Sequence, residues 1–418
     1  MTQSIEKPTT LLTPTSAEEA AEGLRKADLE NLRVGFVGGG TKQQMGNQAG
    51  PFELQISTSK LDTLIAYQPE DLTITTGAGL ELAQLQSILG KHGQWLPLDA
   101  PRLAGQTLGG VLSTNVSGPK RLLYGTSRDL LIGCQFGLAD GKIGRSGGRV
   151  VKNVAGYDLH KLMIGSLGTL ALLTEVTFKV LPLPQYSEWA AALFDKAEDA
   201  LSAARQAARS NTSPAALEVL NRPAQVQMSK LTNLNLPEAP YVLFFAAEGV
   251  EVAVKDQLKA LKQLCHQTRA SDIIETEGSQ ESAALWQGLQ DLPAGNLRLK
   301  WSSTLTDLPF VLQHAEQLTA ALGLNEAALQ VRAGTGLVYL FANLEDEQTE
   351  QAARLIEKAR STVQAKAGNL VIEAAPQGLK AKIEVWGSVG NAFAAMQALK
   401  NKLDPKGILN PGRFLKGI

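Results

Sequence analysis

Five glycines fall within Gly147–Leu170, GGRVVKNVAGYDLHKLMIGSLGTL, around the pair Lys152-Asn153 and one helical turn. Glycine in that density serves a backbone that must take positive φ, or one against which something flat or anionic lies directly. Two further clusters repeat the pattern. The run FVGGGTKQQMG, residues 36–46, offers Gly38, Gly39, Gly40, Thr41 and Lys42 in a turn of successive amides, the arrangement that makes an anion-binding nest. It is neither GxxxxGK[ST] nor GxGxxG opening a helix. In AGQTLGGVLSTNVSG, residues 104–118, Gly105, Gly109 and Gly110 let the backbone approach a diphosphate. Thr107, Ser113 and Asn115 add short hydrogen-bonding side chains there. One diphosphate does not need three such loops, but a flavin dinucleotide extended over about 20 Å reaches all of them.

The other chemistry-bearing residues are few. The four histidines, His92, His160, His266 and His314, show no ligand spacing, and no metal site is expected. Cys134 and Cys265 stand alone, so this chain cannot ligate an iron–sulfur cluster through cysteines. A disulfide framework is equally out of keeping, which fits a reducing compartment. Arg332 and Lys300 are the weak candidates for catalysis, as cations able to hold a carboxylate. Lys152 faces either a cofactor or solvent. Asn410, in an NPG turn, is placed to present its amide to a cofactor, whereas Trp386 reads as core.

These residues need elements to hold them. At 418 residues two domains are expected, and 44% apolar with 19% charged residues describes an ordinary globular chain. A net charge of −1 gives no basic stripe for nucleic acid. The N-terminus lacks a signal-peptide pattern and no run is long enough to span a bilayer, so the expected location is cytoplasmic. Residues 1–14 read as a loose terminus. Ser16-Ala-Glu-Glu19 opens a helix to about Leu29, a second helix runs from about Leu80 to Lys91, and Asp158 caps a short third ending before Gly165. From Thr174 the pattern turns to period two, with Val176, Phe178 and Val180 on one side, and Pro182 and Pro184 close this half near 183. Beyond it, Ala-rich helices near 195–210, 251–267, 308–322 and 346–366 alternate with strands such as YVLFFAAE and GLVYLFANL. That is an α+β layer, an antiparallel sheet with helices on one face.

The motifs GQTLGGVLSTNVSG, YGTSRDLLIGCQFGLADGKI, GGRVVKNVAGYDLHKLMIGSLGTLALLTEV and LDPKGILNPGRF follow one another in a known order. The sequence resembles the FAD-binding domain of the vanillyl-alcohol oxidase/PCMH superfamily, and within it the E-subunit family of glycolate oxidases. The resemblance implies a two-subdomain PCMH-type FAD-binding domain over 15–183. It also implies an α+β cap over 184–400 and a C-terminal segment, 401–418, returning to the flavin site. It implies that the diphosphate lies on Gly38–Lys42, with Gly105 to Gly118 lining diphosphate and flavin. The strand carrying Gly168, Thr169 and Thr174 would enclose the adenosine half. The first loop has no histidine, so FAD is expected to be noncovalent. Related 2-hydroxyacid dehydrogenases carry a cap run resembling HAGDGN; here it reads Arg332-Ala-Gly-Thr-Gly336, with arginine for histidine. The expected function is therefore an FAD subunit of a glycolate (2-hydroxyacid) oxidase or dehydrogenase complex, with an iron–sulfur subunit and a D-type flavin subunit as partners. The alternative is a structural or assembly flavin subunit whose partner carries catalysis. Membrane association, on either reading, would come through partners.

Overall fold

The computed structural model describes all residues except 1–9, 102–103, 150–155, 235, 237, 276–278 and 293–294. Lys152 lies outside the described residues. The chain forms two compact units. The first comprises 1–116, 125–183 and 388–418; the second comprises 117–124 and 184–387.

The first unit holds two main sheets and a two-stranded antiparallel pairing of Gln94–Trp95 with Leu181–Pro182. Thr10–Leu12, Leu54–Ser57 and Val34–Val37 form a parallel three-stranded sheet with Leu54–Ser57 in the centre. Helix Ala17–Glu30 packs its Ala20, Leu24 and Ala27 stripe on this sheet. Ser16 caps it by accepting from the Glu19 amide at 3.1 Å, but the reciprocal bond to Glu19 comes from Thr15, not Ser16. Its C-cap is Asn31 in the left-handed region. The second sheet is antiparallel, in the order Leu64–Gln68, Thr73–Gly77, Leu172–Lys179, Leu131–Gly137, Ile143–Gly147. Val176 and Phe178 point into its core with helices Leu82–Gly90 and Leu108–Thr114. The opposite side of the strand is only partly open to solvent, at Glu175 and Lys179. Thr177 is buried and shares a 3.0 Å hydroxyl contact with Thr75.

The second unit is built on eight antiparallel strands, from Asp272–Glu275 at one edge to Asn369–Ala374 at the other. Helices Ala197–Arg209, Glu251–Gln267, Leu308–Ala321 and Thr349–Gln364 cover one face. The expectation of helices on a single face is corrected by Arg222–Thr232 and Ser279–Asp291. Their Met228, Trp286 and Leu289 cover part of the other face against Trp189, Phe244 and Phe341.

A second correction concerns the last helix, Phe393–Leu403, which the sequence grouped with the cap. It belongs to the first unit, where Leu399 and Leu403 pack on that unit's core. Lys400 anchors it, with Nζ 2.6 Å from Asp404, 2.8 Å from the Thr169 carbonyl and 3.2 Å from that of Leu409. Asp404 in turn accepts the amides of Ile408 and Leu409. Burial lowers the Lys400 pKa, opposed by the Asp404 charge.

Candidate functional site

The parallel sheet delivers its outer strand Val34–Val37 into Gly38, Gly39 and Gly40, where the chain turns sharply. This turn meets the second glycine cluster back to back. A Cβ on Gly39 would stand 1.5 Å from the Gly105 carbonyl oxygen, and one on Gly38 would stand 2.2 Å from Thr107 Oγ1. Thr107 caps helix Leu108–Thr114, accepting from the Gly110 amide at 3.3 Å. The third cluster closes the other side. Gly168, at φ +71°, leaves no room for a Cβ, which would lie 2.7 Å from Asn410 Nδ2 and 2.8 Å from the Phe36 ring. Asn410 ties the walls together, accepting from the Phe36 amide at 3.1 Å and donating to the Leu167 carbonyl at 2.8 Å.

Together these segments enclose a cleft of about 690 Å³, part of it open to solvent. Of the sequence-predicted residues, Gly38, Gly39, Gly40, Thr41 and Lys42 line it, as do Thr107, Gly109, Gly110, Ser113, Gly168 and Asn410. Five others do not. Gly105 stands behind the wall, its carbonyl against Gly39. Asn115 is the left-handed C-cap of its helix, at φ 51°. Gly118 lies in the segment grouped with the second unit. Thr169 turns its hydroxyl back to the Ser166 carbonyl at 2.8 Å, and Thr174 pairs with the Gln135 amide group at 2.9 Å inside the sheet. Glycines and hydroxyls that shape a loop look the same in sequence as those that face its cavity.

Sequence reasoning missed Gln106 and Arg413. Arg413 follows the NPG turn and is buried. Its Nε donates to the Met45 carbonyl at 3.1 Å and its Nη2 to those of Lys42 and Gln43, at 2.8 and 3.2 Å. Burial pushes its pKa down to about 10. Gln106 is 6% exposed, and its Nε2 is buried without an acceptor. Its position between Gly105 and Thr107 was the available signal.

The lining fits a dinucleotide diphosphate. Among the described lining residues are two cations, Lys42 and Arg413, and no carboxylate. The successive amides of Gly39, Gly40 and Thr41 donate to no protein acceptor among the described residues, which leaves a nest for phosphate oxygens. The lining includes no histidine, cysteine or tyrosine.

Arg332 and Lys300 lie elsewhere, on one face of the second unit's sheet. Tyr339 stands directly opposite Lys300 in register, and the Arg332 guanidinium lies 4.6 Å from the Tyr339 ring centre. Arg332 Nη1 also donates to the Ser117 carbonyl. Lys300 pairs with Glu373 at 2.6 Å. The histidines are not on this face. His92 meets Tyr67 edge-on, and His314 bonds the Phe310 carbonyl within its own helix. His266 sits in the last turn of Glu251–Gln267. His160 is buried with Nδ1 3.0 Å from Ser146 Oγ; burial lowers its pKa. Both thiols are buried and pushed up to about 12 by desolvation.

Residues 8–147 match the FAD binding domain family, and residues 183–414 match the C-terminal domain of FAD linked oxidases. The chain is 30% identical over 356 residues to glycolate oxidase subunit GlcE of Escherichia coli, covering 84% of each protein. It is 26% identical over 424 residues to glycolate oxidase subunit GlcD of Bacillus subtilis, covering 97% of this chain and 89% of that protein. The crystal structure of p-cresol methylhydroxylase with substrate bound superposes with a TM-score of 0.76 at 16% identity, over 96% of this chain and 88% of that one. That likeness is one of fold.

Proposed function

This chain belongs to the FAD-linked oxidases, with FAD as its cofactor, and we propose that it is the E-type flavin subunit of a glycolate (2-hydroxyacid) oxidising complex. FAD, when bound, supplies a two-electron acceptor. The chain's own part is to hold that cofactor without a covalent link, through the Gly38–Lys42 turn, the Thr107–Ser113 segment, Gly168 and Asn410. A lining without histidine, cysteine or tyrosine among the described residues supports noncovalent binding. Acid precipitation is expected to release the flavin as free FAD; yellow precipitate and a colourless supernatant would contradict it.

One observation carries the dependence on partners. Oxidising a 2-hydroxyacid needs a group to take the hydroxyl proton and a cation to hold the carboxylate, and base assistance alone is worth about 10²–10⁴ in rate. The sheet face bearing Arg332 and Lys300 has no histidine. Its two candidate cations are already engaged, Arg332 by Ser117 and Tyr339 and Lys300 by Glu373. With only two, buried cysteines, electrons leaving the flavin need an iron–sulfur subunit elsewhere, and a D-type flavin subunit is the expected second partner. The same engaged cations favour a second reading, a structural flavin subunit with catalysis on the partner.

Anaerobic mixing with glycolate or D-lactate, monitored at the flavin absorbance, separates these readings. Slow bleaching in the isolated chain and fast bleaching of its flavin in the reconstituted complex is the expected result. Equal rates in both would sink the dependent-subunit reading. A flavin that stays oxidised in the turning-over complex would leave the structural one.

A further inference from the structure

Among the described residues that line the cleft, one polar side chain is not satisfied by the protein itself. Gln106 is 6% exposed and its carboxamide Nε2 is buried with no acceptor, although the residue lines the cleft. Its neighbours are the two parts of the wall held most rigidly. Gly105 on one side abuts Gly39 so closely that no Cβ fits, and Thr107 on the other caps the next helix and packs on Gly38. The backbone of Gln106 is fixed as well, its carbonyl accepting the Leu82 amide at 2.9 Å. A buried amide donor without a partner destabilises a fold, and native interiors leave few of them. Here the site lies beside the amides of Gly39, Gly40 and Thr41, which also lack protein acceptors among the described residues. Two cations, Lys42 and Arg413, share the same lining.

We propose that the Gln106 carboxamide is a cofactor-positioning group that donates a hydrogen bond to a diphosphate oxygen of FAD. This rests on the FAD reading of the cleft and adds a side-chain contact to one otherwise made by backbone amides and cations. A donor among donors suits a dianionic diphosphate, whose oxygens only accept, whereas the adenine and flavin rings present donors as well as acceptors and would be met by a mixed lining. The amide is neutral, so it confers attraction without adding to the charge repulsion between Lys42 and Arg413.

The test uses Gln106→Leu and Gln106→Glu in the full chain, stripped of flavin. Binding of FAD, ADP and riboflavin is measured by titration, with thermal unfolding of apo and loaded protein alongside. Gln106→Leu puts an apolar side chain one bond shorter in place of the carboxamide and removes the unsatisfied donor. Its apo form is therefore expected to unfold at an equal or higher temperature than wild type, while its affinities for FAD and ADP fall by about tenfold or more, the order of a lost hydrogen bond to a charged group. Riboflavin binding stays unchanged, since it carries no phosphate. Gln106→Glu is expected to bind FAD more weakly than Gln106→Leu, with the deficit growing as pH rises and the carboxylate ionises. Wild-type FAD affinity in Gln106→Leu overturns the proposal, as does a loss seen with riboflavin but not with ADP. A Gln106→Leu apoprotein that melts well below wild type overturns it too, because the amide would then be serving the fold. Gly39→Ala serves as the reference. If it loses FAD while Gln106→Leu does not, the FAD site stands and only the Gln106 assignment fails.

Discussion

An alanine at Gly39 tests the architecture of the cleft at its tightest point. The new Cβ would sit 1.5 Å from the Gly105 carbonyl oxygen, 2.4 Å from its carbon and 3.3 Å from the Gln106 nitrogen. Non-bonded heavy atoms settle near 3.5–4.0 Å, so the two glycine turns must part by about 2 Å. The obstruction is backbone, and no rotamer change relieves it. Overpacking of this kind typically costs about 1–3 kcal/mol. The same movement displaces the amides of Gly39, Gly40 and Thr41 from any ligand that bridges the turns. Losing one charge-assisted hydrogen bond there, at about 1.5–3 kcal/mol, corresponds to roughly 10–150-fold in FAD affinity. Gly40 provides the contrast. It adopts φ +73°, but a Cβ there meets nothing within 4 Å. Gly40→Ala should therefore cost the apoprotein only about 1–2 kcal/mol of left-handed strain. Thermal unfolding of both apoproteins and FAD titration by flavin fluorescence check the pair. A Gly39→Ala protein with wild-type melting temperature and FAD affinity would refute the reasoning. So would an apo Gly40→Ala protein that is the less stable of the two.

Three further outcomes follow from named contacts. Lys400→Met leaves Asp404 buried with its opposite charge gone, and should lower stability by about 3–5 kcal/mol in denaturant unfolding, against about 1 for an exposed pair. Asn410→Ala removes both the Phe36 and Leu167 bonds at a residue 1% exposed and held at φ 40°, and should cost about 2–4 kcal/mol while loosening FAD; a melting point within a degree of wild type would contradict this. His160 has a folded pKa below its ordinary 6.5 because burial disfavours the charged ring. The folded state thus binds the proton less readily than the unfolded chain. Its contribution to stability is full above that ordinary value and is lost as pH falls through it towards the folded pKa. The melting temperature of wild type should decline over that window more steeply than that of His160→Gln, and parallel declines would show that the ring titrates normally.

The sequence made some of this architecture legible and concealed the rest for physical reasons. Glu251–Gln267, Leu308–Ala321 and Thr349–Gln364 bury one stripe each, so their helical period survives in the residue order. Leu297–Ser302 alternates buried and less buried positions, and so does its neighbour Asn369–Ala374. Tyr186–Phe194, by contrast, contains WAAALF, packed between helices on both faces, so no alternation marks it, and the three alanines between Trp189 and Leu193 read as helix. The cleft shows the same division. Gly38 to Gly40 and Gly109-Gly110 announce close backbone approach wherever they fall in the chain. Arg413 reaches the Lys42 carbonyl across a sequence separation of 371 residues, and nothing local to either residue predicts it. Thr169 and Thr174 resemble the lining hydroxyls, but a turn carbonyl and a sheet amide claim them first.

The two faces of the chemistry differ in how much of their polarity is already spent. In the cleft, three successive amides and the Gln106 carboxamide donate to no protein group among the described residues, so a diphosphate enters at little cost in broken bonds. On the second unit's sheet the reverse holds. Lys300 is within 2.6 Å of Glu373, and Arg332 stacks on Tyr339 while donating to Ser117. A substrate carboxylate seeking either cation must displace an existing partner, and the displaced Glu373 would repel it. Such an exchange returns little net affinity, because the carboxylate gains roughly what Glu373 gives up. On the proposed function, the chain by itself is expected to hold FAD and to bind 2-hydroxyacids only weakly. Glu373→Gln separates the two properties. It frees Lys300 from its acid and changes no residue of the cleft lining, so glycolate should bind more tightly than to wild type in calorimetric titration while FAD affinity stays the same. Unchanged glycolate affinity in Glu373→Gln would remove Lys300 as a carboxylate-binding group.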